Sequence, residues 1–180
     1  MQEADRRMVR KVSIRTATLH DLPRLNEIAD SAVNTLLSPY FSLEQLHAAN
    51  EAKIYEVDAG LVEAGTYYVG EIDGVVVAGS GWSTSGQLDS IVGRETEASG
   101  AAAMRSTYVD PAWSRRGIAA LLARTTEAAA SLSGFRRFES LCTPMAAAMR
   151  HKLGYQTVAS AQVPYGPGLV LDLVVVRKDV

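Results

Sequence analysis

Residues 12–17 read as a short strand, with Val12 to Arg15 alternating apolar and polar side chains. Leu25, Ile28, Ala29, Ala32, Val33 and Leu36 then recur at helical spacing. His20, Asp21 and Pro23 precede them, with Asp21 placed to cap the helix and the proline in its first turn. Ser38 and Pro39 end that helix. Ser42 opens a second, with Glu44 and Gln45 in its first turn and Leu43, Leu46, Ala49 and Ile54 along part of one face; it ends somewhere between Tyr55 and Gly65. Residues 66–72 and 75–82 read as two strands joined by Asp73-Gly74, a dipeptide that tolerates the positive φ angles of a tight hairpin. Residues 83–102, rich in Ser, Gly, Glu and Ala, read as a loop of uncommon length. A strand over 104–109, an Ala/Leu helix over 114–132 broken at Gly134, and a strand over 138–142 follow. A helix over 145–153 closes at Gly154, and strands over 156–163 and 169–177 flank a turn at 164–168.

This order alternates strands and helices, with two hairpins. It predicts an α/β (α+β) sandwich built on a mixed sheet, in one domain over 12–180 preceded by an arm at 1–11. A chain of 180 residues needs no disulfide or metal to hold a core. The single cysteine, Cys142, permits no internal disulfide, and no Cys/His spacing marks a metal site. Eighteen basic residues against twenty acidic give a net charge of -2, so nothing global calls for a nucleic-acid partner. The segment from Met1 to Arg15 is locally basic, with Arg6, Arg7, Arg10, Lys11 and Arg15 against Glu3 and Asp5, and reads as a solvated N-terminal arm. No signal-peptide core and no apolar run of about 20 residues is present, which predicts a cytoplasmic protein without membrane attachment.

One segment resists a purely structural reading. Val-Asp-Pro-Ala-Trp-Ser-Arg-Arg-Gly-Ile-Ala, from Val109 to Ala119, ends a strand with proline and crowds two arginines into the start of an apolar helix. A helix start carries roughly half a positive charge, so Arg115 and Arg116 are misplaced there unless an anion sits beside them. Gly117 lets ligand oxygens approach the backbone, Ala119 is nearly as small, and arginines make charge-assisted bonds to phosphate. Two readings remain: an ordinary helix start with solvated arginines, or a phosphate site. A P-loop is excluded, because G-x-x-x-x-G-K-[ST] is absent.

These residues resemble the acetyl-CoA-binding segment of the GNAT N-acetyltransferases: a strand ending V-x-P, then [Q/R]-x-x-G-x-[G/A], then an apolar helix. Arg116, Gly117, Ile118 and Ala119 match; Ser114 stands where Gln or Arg is usual. Residues 13–23 resemble that family's first strand and helix entry, 67–81 its second and third strands, 142–155 its fifth strand and fourth helix with the closing L-G-Y, and 163–178 its C-terminal hairpin. The resemblance implies a twisted, mostly antiparallel sheet of about seven strands with about four helices, splayed between the fourth and fifth strands. It implies acetyl transfer from acetyl-CoA to a primary amine of a small molecule or peptide, and it admits a homodimer. The backbone of Ser114, Arg115, Arg116, Gly117, Ile118 and Ala119 would hold the pyrophosphate. Thr107, Tyr108 and Val109 would pair with the pantetheine, and the Val109 amide would receive the oxyanion.

Acetyl transfer asks for a base, an oxyanion donor and help for the leaving thiolate. Many members of the family supply the last with a tyrosine in the fourth helix; counting back from Gly154, this chain has Arg150 there. Arginine does not give up its proton, so Arg150 could stabilise a thiolate by charge or contact a CoA phosphate. The missing tyrosine also leaves open a module that binds acyl-CoA with little turnover. His151 titrates conveniently but lies one step round the helix. Tyr108 faces either cofactor or core. Glu71 could hold a base water or sit solvated, and Cys142 reads as small apolar filler. Tyr40 and Trp82 fall near the acceptor region, Trp82 with a core role equally open. Tyr67 and Tyr68 point to opposite faces of their strand, so one faces the core.

Overall fold

The computed structural model describes residues 11–39, 41–51, 53, 55–84, 100–166 and 169–180. Seven strands form one sheet: β1 (Ser13–Thr16), β2 (Tyr67–Ile72), β3 (Val75–Thr84), β4 (Ala102–Val109), β5 (Arg137–Cys142), β6 (Gln156–Gly166) and β7 (Leu169–Asp179). Their spatial order is β1-β2-β3-β4-β5-β7-β6, and β4-β5 is the parallel neighbour pair. The described helices are α1 (Leu22–Leu37), α2 (Leu43–Glu51), α3 (Ala59–Glu63), α4 (Ile118–Leu132) and α5 (Pro144–Lys152).

The pleat sorts the core onto two faces. Tyr67 and Val69 join Leu25, Ile28, Val57 and Leu61 on the face covered by α1 and α3. Their neighbours turn the other way: Tyr68 packs with Ile118 and Leu122 of α4. The cluster of Met104, Phe138, Ala130, Ala147 and Val176 shows that α5 lies on the α4 side. Leu25, Ile28 and Leu122 are almost wholly buried, each worth about 1.5–3 kcal/mol. On the first face α2 reaches across to β7, Ala49 meeting Leu171.

Several expectations are corrected. Leu36 and Leu43 are exposed, so the apolar stripes of α1 and α2 are narrower than the sequence spacing implies. Asp58, not an extension of α2, opens a separate helix by accepting the Gly60 amide at 2.8 Å. Asp21 does not cap α1 with its side chain. A 3-10 turn at Leu19–Asp21 comes first, and the carboxylate accepts the Thr18 amide at 2.7 Å instead. The last ladder runs out to Gly166↔Leu169, shortening the 164–168 turn. Pro164 is tolerated within β6 because that strand is at an edge, where no partner needs its missing N–H. The loop at 83–102 is described only at its ends, and Tyr40, Ile54 and most of the arm at 1–11 lie outside the described residues. Among the described residues no helix is long and apolar enough to cross a membrane.

Candidate active site

β4 and β5 pair at Ala102↔Phe138 and Ala103↔Glu139, and no further ladder joins them. Beyond that point β5 follows β7, from Arg137↔Asp179 to Cys142↔Val174, while β4 follows β3. The sheet therefore opens between its two halves.

A bulge in β4 shapes the edge of this opening. Gly79 pairs with Tyr108 and Gly81 with Arg105, so Ser80 stands opposite both Ser106 and Thr107. Ser106 takes a positive φ of 46° there. Its carbonyl accepts a 2.7 Å hydrogen bond from the Tyr67 hydroxyl, which arrives from β2 across the whole width of β3. Two glycines clear the way. A Cβ on Gly79 would lie 2.7 Å from both Leu25 Cδ2 and Tyr67 Cε1, and one on Gly81 would lie 2.5 Å from Tyr67 Cδ2. The Gly-Ser-Gly run of β3 is thus the track along which a buried tyrosine reaches the bulge.

Successive backbone N–H groups of a strand point to opposite edges. The Asp110 amide donates to the Val77 carbonyl at 2.8 Å, so the amide before it, that of Val109, turns toward the β5 side and the opening. Thr107 and Tyr108 divide between the two faces. The Thr107 hydroxyl shares a 2.8 Å hydrogen bond with Ser80 and accepts another from Arg150 Nη2 at 3.0 Å. Tyr108 packs with Val33, Leu46, Tyr55 and Phe41 beneath α1 and α2, and burial pushes its phenol well above the usual range.

After β4 the chain is held tightly before it turns loose. Asp110 accepts the Ala112 amide at 3.0 Å, fixing a 3-10 turn at Pro111–Trp113, and pairs with Arg24 of α1 at 2.5 Å. Ser114 is extended, Arg115 and Gly117 have φ of 58° and 80°, and helical geometry starts only at Ile118. The expected helix start at Ser114 is therefore four residues too early, because a left-handed residue cannot continue a right-handed helix. Ser114, Arg115, Arg116 and Gly117 are all exposed. Left-handed residues on either side of Arg116 turn successive amides toward one side, the arrangement that makes an anion-binding concavity. A Cβ on Gly117 would meet nothing within 4 Å, so the loop is open to a ligand. Arg116 lies over the Trp113 ring at 4.7 Å, and Ile118 itself is buried in the core, leaving only its backbone for any contact.

Arg150 is 3% exposed. Its guanidinium lies 5.4 Å from the Tyr155 ring, and its Nη1 has no hydrogen-bond partner among the described residues. It is a fully internal cation, not a residue reaching for a phosphate at the exposed 114–117 loop. Cys142 is half-buried at the end of β5; burial raises its thiol to about 11, against the opposing field of Arg150. His151 is exposed and bonded to Thr157 at 3.0 Å, pointing away from that cation.

Two further expectations change. Trp82 is 7% exposed, packed edge-on to Phe135 at 5.7 Å within the Met104–Phe138 cluster; its place is the core rather than an accessible cleft. Glu71 is held by Arg15 at 2.7 Å on β2, two strands from the β4 edge, rather than solvated. The bulge, the Tyr67 strut and the burial of Arg150 have no signature in spacing. The Gly-Ser-Gly run in a strand was the one available signal, since strand glycines often mark close approach.

An acetyltransferase (GNAT) family model matches residues 31–155. Among solved structures, a GCN5-related N-acetyltransferase from Rhodopseudomonas palustris superposes with a TM-score of 0.74 at 18% identity, covering 93% of this chain and 95% of that one. PaiA N-acetyltransferase from Thermoplasma acidophilum, solved in complex with coenzyme A, gives 0.69 at 13% identity over 94% and 99%. A putative acetyltransferase, yncA of Salmonella typhimurium, solved with acetyl-CoA, gives 0.60 at 18% over 94% of each chain. No curated protein matches the sequence.

Proposed function

Since the chain belongs to the acetyltransferase (GNAT) family, we propose that it transfers an acetyl group from acetyl-CoA to a primary amine of a small molecule or peptide, by direct attack with both substrates bound. The observation that carries this reading is the β4 edge. A strand whose ladder stops, with the Val109 amide facing the opening, runs into an exposed loop of alternating backbone handedness. The residues fit the cosubstrate. The backbone of Ser114, Arg115, Arg116, Gly117, Ile118 and Ala119 would hold its pyrophosphate, and Thr107 to Val109 would pair with its pantetheine amides. Bound there, acetyl-CoA supplies an activated acyl group.

The chain's own groups then divide the work. The Val109 amide donates to the carbonyl oxygen as negative charge grows on it, a role in which one donor is worth about 3–4 kcal/mol. Tyr108, its phenol pushed up by burial beneath α1 and α2, does not serve as the base. An alkylamine acceptor, with a pKa of about 10.4, gives its proton to solvent water. One observation favours a second reading, an acyl-CoA-binding module with little turnover: Arg150 has no proton to give where a tyrosine acid is usual in the family. Mass spectrometry of products from acetyl-CoA and a panel of primary amines tests the two. Acetylated products at turnover support the transferase; cosubstrate binding by calorimetry with no product from any amine supports the module. No binding of acetyl-CoA at all would overturn both.

A further inference from the structure

Among the described residues no carboxylate pairs with Arg150. It is 3% exposed, and its side chain meets Thr107 and Tyr155, neither of them anionic. A buried cation lacking an opposite charge is costly, and its Nη1 adds an unmet donor, itself worth about 1–3 kcal/mol or more for a charged group. The place of this charge is specific. Its helix follows β5, yet Nη2 bonds Thr107 on β4, and it acts on Cys142 at the end of β5. From the helix that follows β5 the guanidinium therefore reaches β4 beyond the last ladder pair, with Cys142 at the end of β5 in its field.

We propose that Arg150 is an anion receptor for the departing sulfur: it binds the coenzyme A thiolate and so replaces proton donation with a fixed charge. This rests on the transferase reading above. In the transfer, the amine nitrogen forms the C–N bond to the carbonyl carbon and the C–S bond breaks. The C–S electron pair stays on sulfur; the acceptor nitrogen loses one proton to water before attack, as the alkylammonium, and a second after it, from the cationic adduct. Acetyl-CoA carries no charge at that sulfur in the ground state, so a guanidinium there favours the transition state over the bound substrate, which is the condition for raising turnover. A tyrosine must give up and recover a proton each cycle; arginine need not.

Groups facing Arg150 do not compete with this role in the neutral range. The Cys142 thiol from β5 stands at about 11, and burial holds the Tyr155 phenol well above its usual range. Behind Tyr155, Glu127 of α4 and Lys178 of β7 neutralise each other at 2.6 Å, and His151 on the same helix faces solvent. A pH dependence near 7–9 in this neighbourhood would belong to the ligand's own thiol, whose ordinary pKa is about 8.5.

The test is calorimetric binding of coenzyme A and of desulfo-coenzyme A to the full chain between pH 6.5 and 9.5, for the native sequence, Arg150→Met and Arg150→Lys. Desulfo-coenzyme A removes every pH effect except that of sulfur and needs no variant. Coenzyme A should gain on the order of tenfold in affinity over the desulfo compound as pH rises, the equivalent of one pKa unit taken from the bound thiol. Arg150→Met should abolish that gain, and Arg150→Lys should keep part of it. Parallel curves for the two ligands, or an undiminished gain in Arg150→Met, would overturn the inference while leaving the transferase reading intact. Absence of binding by either ligand would overturn both. A third arm compares S-carboxymethyl-coenzyme A with S-methyl-coenzyme A. A preference for the carboxylate that Arg150→Met removes, together with parallel curves, would instead assign the cation to an acidic acyl group.

Discussion

The Asp21 carboxylate draws both terminal nitrogens of Arg15 to 2.8 Å and the Thr18 amide to 2.7 Å, and the same guanidinium holds Glu71 of β2. One ionic knot thus fastens β1, β2 and the entry to α1. Hydrogen bonds from Arg15, and then from Thr18, hold Asp21 well below the usual carboxylate range despite burial, which acts the other way. A lowered carboxylate pKa gives stability that is complete above the unfolded value of about 3.9 and fades as pH falls toward the folded value. Asp21→Asn should therefore lower unfolding free energy at pH 7 by about 1–3 kcal/mol, discounted toward the lower end because Arg15 is partly solvated. In urea titrations its difference from the native sequence should shrink as pH falls from 5 to 2; a constant difference would deny the ionic role. Sequence reading found Asp21 at the right place for the wrong reason. A capping residue and an ion-pair partner look alike along the chain; what decides between them is the 3-10 turn at Leu19–Asp21, after which Asp21 faces back onto Arg15.

At the scale of elements, β2, β3 and β4 are coupled by the Tyr67 strut. Tyr67→Phe keeps the ring and removes the bond to the Ser106 carbonyl, which should cost about 1–3 kcal/mol of stability and weaken acetyl-CoA binding as the bulge relaxes. Gly81→Ala forces a methyl group into the ring and should cost about 1–3 kcal/mol by overpacking. Chemical denaturation and calorimetry check both; a loss of stability in Tyr67→Phe with unchanged affinity would separate the strut from the site. Further along, Gly117→Glu has room for a side chain but places a left-handed non-glycine residue and a negative charge at the expected pyrophosphate. It should eliminate acetyl-CoA binding while circular dichroism stays native; retained binding would remove the phosphate from that loop. Strands, hairpin and order of helices were legible because period-two and period-3.6 patterns report which side is buried. The 114–117 loop was misread as helix, since serine and arginine do not announce a left-handed turn. Only Gly117 did, and it could have been read as the residue before the helix.

Over the whole molecule, the sheet has two halves that share helices α4 and α5 and the Met104–Phe138 cluster but few ladder bonds. Saturating acetyl-CoA at about 100 times its dissociation constant should add about 2.7 kcal/mol, and for a chain of this size raise the melting temperature by roughly 5–10 °C. Differential scanning fluorimetry measures this directly, with desulfo-coenzyme A, which shares the phosphates and pantetheine, giving most of the same shift. The fold at this scale was readable from element order together with the family motif. The internal position of Arg150 was not, because burial of a charge depends on what three separate elements leave uncovered, and no periodicity records that.

The opening between β4 and β5 has one last implication. A guest that filled it with its own amides would finish a sheet the polypeptide leaves unfinished, and the loaded form would be the more stable one. Resistance to proteolysis would then rise with the fraction of molecules whose opening is filled.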